Sequence, residues 1–159
     1  MNRTLTLLAL LPSVAFGQSL VSTAPQNRTV LLEDFTGIHC GYCPEGHAIA
    51  AALEAQHGPR IAVVGVHAGP YATPATGEPD FRTTAGTDID TYFTIGGYPA
   101  GVINRHLFNG ADDLGRGAWE GAVNEMLALP SPVNLGVASA FDAGTRELTV
   151  TVELLYTAD

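Results

Sequence analysis

The sequence predicts an α/β fold built on a parallel strand-helix-strand unit, and three observations carry that prediction. The run Val30-Leu31-Leu32 opens a short apolar stretch that reaches Phe35. Pro44 then begins a segment with apolar residues at helical spacing, which stops at Gly58-Pro59. Ile61 to Val66 follows as a second apolar run without polar alternation, which implies burial on both faces. Two such strands joined through a helix imply a right-handed parallel crossover. With 159 residues and 46% hydrophobic content, the chain can build one ordinary domain and a fragment of another.

The elements follow in chain order. Residues 1–17 carry Arg3, an apolar stretch from Leu5 to Phe16 and the small-residue ending Ala15-Phe16-Gly17, the layout of a secretory signal peptide cleaved before Gln18. An N-terminal core helix is the other reading, and Pro12 opposes it. Residues 18–27 read as a flexible lead-in, so the fold should begin near Arg28. Thr29 to Phe35 is the first strand, and Ala48, Ile49, Ala51, Ala52, Leu53 and Ala55 mark the first helix. Ala68 to Pro79 is a loop, and Asp80 is positioned to cap a modest helix ending near Phe93. Gly96 to Pro99 is a turn leading into a strand at Val102 to Arg105, which Leu107-Phe108 continues before a turn at Asn109-Gly110. Leu114 to Leu129 reads as the last helix, with Trp119, Val123, Met126 and Leu127 on one face and Pro130 and Pro132 ending it.

Val133 to Phe141 and Glu147 to Tyr156 alternate apolar and polar residues around Asp142-Ala143-Gly144-Thr145, which predicts a β-hairpin over 131–159. A lone hairpin is marginal in water. It is either an extra pair docked on the 28–130 domain or the start of a β domain, and the second is the expectation here.

Charge narrows the partners. Loss of Arg3 with the leader takes the net charge from −9 to −10, and such a surface disfavours nucleic acid and anionic lipid. The two cysteines, Cys40 and Cys43, are three positions apart. A pair this close encloses a tiny loop and constrains the unfolded chain little, so it points to reactivity or metal binding instead of a structural staple. At a strand-to-helix junction, unpaired backbone N–H groups and the positive end of the helix dipole favour thiolate at the first sulfur. Cys40 is then the attacking sulfur and Cys43 the one that resolves the mixed disulfide.

Leu31-Leu32-Glu33-Asp34-Phe35, with Cys40 five residues beyond, resembles the thioredoxin layout of apolar strand, Asp-Phe and then the motif. Cys40-Gly41-Tyr42-Cys43 resembles the motif of bacterial periplasmic disulfide isomerases, and Tyr98-Pro99 is similar to the cis-proline element of thioredoxin-like proteins. A closer resemblance is to the secreted two-part proteins of Bacteroidetes called the twenty-eight-kilodalton outer-membrane protein family. Phe35-Thr36-Gly37, Cys40 to Pro44 and Gly97 to Arg105 carry it. The resemblance implies a thioredoxin-like three-layer fold with a central mixed sheet, followed by a β-sandwich that the hairpin would begin. It implies no cofactor.

The resemblance also assigns roles. Asp34 matches the buried carboxylate that assists proton transfer at the resolving cysteine, unless the strand ends there and leaves it solvated. Pro99 would expose the backbone of Tyr98 to an extended substrate strand, with His39, Tyr42 and Tyr98 as substrate contacts. His39 and Tyr42 depart from thioredoxin, which has tryptophan and proline there; His39 either stabilises the Cys40 thiolate or points into solvent. Asn104 and Arg105 either shape the groove or, for Arg105, pair with a surface carboxylate. Cys40, Cys43, His47 and His67 form the alternative of a two-cysteine, two-histidine zinc or copper site.

The readings that follow are an exported thiol-disulfide oxidoreductase or isomerase acting on protein cysteines with a separate redox partner, a non-catalytic secreted binding protein on the same scaffold, and a copper or zinc binder. The expected location is the periplasm, the outer-membrane surface through peripheral association, or the exterior.

Overall fold

The structure, a computed structural model, describes residues 19–158, so the expected leader 1–17 lies outside the described residues. The first strand, β1, is Val30–Thr36, and the helix that follows it, α1, is Cys43–His57. Strand β2, Ile61–His67, pairs parallel with β1 from Val30↔Ile61 to Thr36↔His67, which completes the crossover. Helix α2 is Thr84–Phe93. Strands β3, Ala100–Ile103, and β4, Leu114–Gly115, add antiparallel pairs, so the sheet runs β2-β1-β3-β4. Helix α3 is Trp119–Ala128, and β5, Val133–Asp142, pairs with β6, Glu147–Tyr156, in a separate hairpin.

Strand periodicity sorts the core into two layers. Val30 and Leu32 of β1 face α1 and α3, where they join Ala50, Leu53, Ile61, Ile103, Trp119, Val123 and Met126. Phe35, one register off, faces α2 with Val66, Phe93, Ala100 and Val102. Helices thus cover both faces of a mixed sheet, which is the thioredoxin-like three-layer arrangement. Strand β3 approaches α3 closely at Gly101: a Cβ there would collide with the Trp119 indole, whose Nε1–H donates to the Leu114 carbonyl at 2.9 Å.

Several expectations are corrected. β2 is not buried on both faces, for Ala62, Val64 and Gly65 are exposed, Val64 by 48%. It is an edge strand, and the ten-residue α2 covers it only near Val66. Asp80 does not cap α2; it accepts from Arg82, and Thr83 caps the helix by accepting from the Gly86 N–H. The third strand ends at Ile103, because Asn104 and Arg105 have φ of 49° and 51° and turn the chain. Leu107-Phe108 does not extend it, though Asn109 and Gly110 do form a tight turn with Phe108 and Ala111 exchanging backbone bonds. The last helix begins at Trp119 instead of Leu114, since Leu114–Gly115 is taken up as the fourth strand.

The segment expected as a flexible lead-in makes defined contacts. The Asn134 side chain donates to the Ser22 and Ala24 carbonyls, the Ser131 N–H donates to the Gln26 carbonyl at 2.8 Å, and Gly136 lies against the Leu20 backbone. The hairpin is strongly two-sided. Leu135, Val137 and Phe141 pair in register with Leu154, Val152 and Leu148, and all six are more than half exposed. Among the described residues no helix is long and apolar enough to cross a membrane.

Candidate functional site

The C-terminal end of β1 and the start of α1 place the cysteines. Gly37 lets the chain pass directly against the Tyr71 and Ala72 backbone, where a Cβ would collide, and the His39 N–H donates to the Tyr71 carbonyl at 2.9 Å. The turn that follows brings Cys40 to Cys43, the first residue of α1, and the two sulfurs are joined in a disulfide with Cα atoms 5.4 Å apart. Cys40 is 7% exposed and Cys43 1%. Cys40 therefore precedes the helix by three residues, and the inner sulfur belongs to the first turn.

Pro99 is buried beside this turn, and the Tyr98-Pro99 peptide is cis. Its ring lies over α1, where a Cβ on Gly46 would approach Pro99 Cγ at 2.9 Å and the Trp119 ring at 3.2 Å. Gly46→Val is accordingly expected to push Pro99 and Trp119 off α1 and lower the thermal midpoint by several degrees, read by calorimetry. Tyr98 turns its hydroxyl inward to donate to Asp90 of α2, and burial first, then that bond, raises the phenol pKa. Its ring meets Tyr71 edge-on at 5.9 Å. Tyr42 is 69% exposed and lies under the Arg116 guanidinium at 5.4 Å, while Arg116 also pairs with Glu45 at 2.7 Å.

Asp34 is 2% exposed on the β1 face toward α1, so the solvated alternative does not hold. Its Oδ1 has no hydrogen-bond partner. Burial pushes its pKa up from 3.8 to about 6, with the nearby His47 charge opposing the rise. His47 lies one turn beyond Cys43, its Nε2 2.9 Å from the Thr36 hydroxyl and 3.6 Å from Asp34 Oδ2.

His39 neither points freely into solvent nor stands alone, because its Nε2 is 2.9 Å from Glu78, which also accepts from the Ala75 N–H. The backbone bond first, then His39, holds the Glu78 pKa down. His67 is drawn away at the end of β2, its ring 5.1 Å from Phe81. Among the described residues no group of three or more His, Cys, Asp or Glu side chains could hold a metal ion, so Cys40, Cys43, His47 and His67 are not assembled as a set.

Arg105 pairs with a carboxylate, but with a buried one and not the surface partner expected. It holds the buried Glu33 of β1 through two bonds, at 3.0 and 2.7 Å, and its guanidinium lies 5.6 Å from the Phe93 ring centre. Asn104 extends the β1 pairing instead, accepting from the Leu31 N–H at 2.7 Å through its side chain. Arg105→Ala would leave Glu33 buried and unpaired, and urea unfolding should show a loss of about 2 kcal/mol that Glu33→Gln in the same chain partly restores.

Sequence reasoning missed Tyr71, Glu78 and Gly46, and gave Thr36 no role beyond a motif position. Only Gly46 carried a local signal, as a place where a side chain could not fit; Tyr71 and Glu78 depend on which loop folds over the motif. No family model matches the chain, and no curated protein matches it.

Proposed function

We propose that this protein is a thiol-disulfide oxidoreductase or isomerase acting on protein cysteines, with Cys40 as the attacking sulfur, Cys43 as the resolving sulfur and Asp34 as proton carrier. The observation that carries this reading is the Cys40–Cys43 disulfide at the strand-helix junction, with buried Asp34 alongside the same helix. An inert staple needs no buried carboxylate with one oxygen left without a hydrogen bond, which is costly to keep. Tyr42 and Tyr71, exposed in and beside the motif, offer an apolar surround for an extended peptide, which would pair with the Tyr98 backbone.

The resemblance to the Bacteroidetes outer-membrane protein family supports export with peripheral outer-membrane or periplasmic residence and a separate protein that resets the disulfide. A second reading, a binding protein on this scaffold, draws on the exposed apolar face of β5 and β6.

The test is the reduction potential of the Cys40–Cys43 couple in glutathione buffers, together with refolding of a scrambled disulfide substrate. A potential between roughly −120 and −270 mV with turnover is expected. A couple below about −300 mV without turnover would favour the binding scaffold.

A further inference from the structure

We infer that His47 is a positioning residue that relays protons between solvent and Asp34, and so serves Cys43 without touching the reacting sulfurs; this rests on the redox reading above. The geometry presents a transport problem. Cys43 and Asp34 are 1% and 2% exposed, so neither exchanges protons readily with bulk water. His47 side-chain exposure is 52%, and its ring reaches inward to Thr36 and Asp34. It sits four residues after Cys43, on the helix face whose stripe Cys43, Gly46, Ala50 and Leu53 meets the sheet. Imidazole is the side chain able to take and release a proton near neutral pH, and burial raises the Asp34 pKa to about 6.

The surroundings leave His47 this role. From β1 the groups facing it are Asp34 and the neutral Thr36 hydroxyl. The other charged groups near the helix start are engaged elsewhere: Glu45 with Arg116, and His39 with Glu78. The Nε2 to Thr36 contact holds the ring at 3.6 Å from Asp34, so the relay requires this half-exposed side chain to rotate until that gap reaches hydrogen-bond length.

The chemistry balances when an external dithiol reduces the protein. A dithiol thiolate forms a bond to the Cys40 sulfur, the Cys40–Cys43 bond breaks, and its electron pair goes to Cys43. Asp34 gives its proton to that sulfur, and His47 returns one to Asp34 from solvent. The second dithiol sulfur then displaces Cys40 and leaves as cyclic disulfide, so the dithiol is oxidised and the protein reduced. In the oxidising direction the proton runs outward along the same groups.

The experiment follows reduction of the whole oxidised chain by dithiothreitol, quenched by alkylation and read by mass, for wild type, His47→Ala and His47→Gln. At pH 7 both variants are expected to react roughly ten- to a hundredfold more slowly, the scale of a lost general acid. Imidazole at tens of millimolar should restore the rate of His47→Ala while leaving wild type unchanged, and thermal midpoints should agree within a few degrees. A merely electrostatic or packing role would not respond to added imidazole. Variants as fast as wild type, or slow variants that imidazole does not rescue, overturn the relay. A wild-type disulfide that resists the dithiol overturns the redox reading and the relay with it, and that result comes from the wild-type arm alone.

Discussion

Cys40→Ser is expected to abolish disulfide transfer, lowering turnover at least about a thousandfold, whereas Cys43→Ser should retain the attack and stall after it. A serine hydroxyl is not ionised near neutral pH and cannot form the mixed disulfide, so the loss corresponds to some 4 kcal/mol or more of barrier. Cys43→Ser leaves Cys40 able to attack but without a partner to release the substrate, so a substrate–Cys40 adduct should accumulate on non-reducing gels. The asymmetry comes from the local fold. Cys43 is locked into the first turn of α1 and almost fully buried, while Cys40 lies in the preceding turn, between a glycine and a histidine that reach solvent. Insulin reduction followed by turbidity measures the turnover. An adduct trapped at Cys43 in Cys40→Ser, with none at Cys40 in Cys43→Ser, would reverse the two roles.

The parts of this site legible in the sequence are those made by neighbours along the chain. Cys40, Cys43 and the Pro44 helix start are local, and the apolar spacing from Val30 to Val66 is enough to make β1, α1 and β2. Asp34 was legible as a carboxylate in a strand, but its burial depends on α1 crossing above it. His39 shows the limit most clearly. The sequence places it next to Cys40, whereas its partner Glu78 comes from a loop thirty-nine residues downstream. The two sequence readings of Arg105 could be separated only by strand pairing, since Glu33 is brought near it when β3 aligns antiparallel on β1 with Glu33 opposite Val102. Likewise Leu114 to Leu129 carries helical spacing throughout, yet pairing of Gly101 with Leu114 takes the first residues into the sheet. Local propensity yields to tertiary pairing at such boundaries.

Asp34→Asn is expected to stabilise the protein at pH 7.5 by up to about 3 kcal/mol while impairing turnover. The carboxyl titrates at about 6 in the folded chain against 3.8 for the free group. At about 1.4 kcal/mol per pKa unit, that difference is the cost of holding the ion in the fold. The folded state binds the proton more tightly than the unfolded state, so the stability this group provides is complete below pH 4. It is lost as pH rises through 6, and above that the ionised Asp34 holds the fold at its lower level. Asparagine keeps the shape without the charge. The wild-type and variant curves should therefore coincide near pH 4 and separate between pH 4 and 6, with asparagine the more stable above. Urea unfolding of the oxidised protein across that range measures the gap, and the same preparation assayed for insulin reduction should show the slower rate. A gap of constant size at every pH would mean that packing, not ionisation, sets the difference. The opposite sign would mean that the carboxylate gains more from His47 than it loses by burial. A carboxylate retained at such a cost is accounted for by proton transfer, and stability gained together with activity lost is the pattern that account requires.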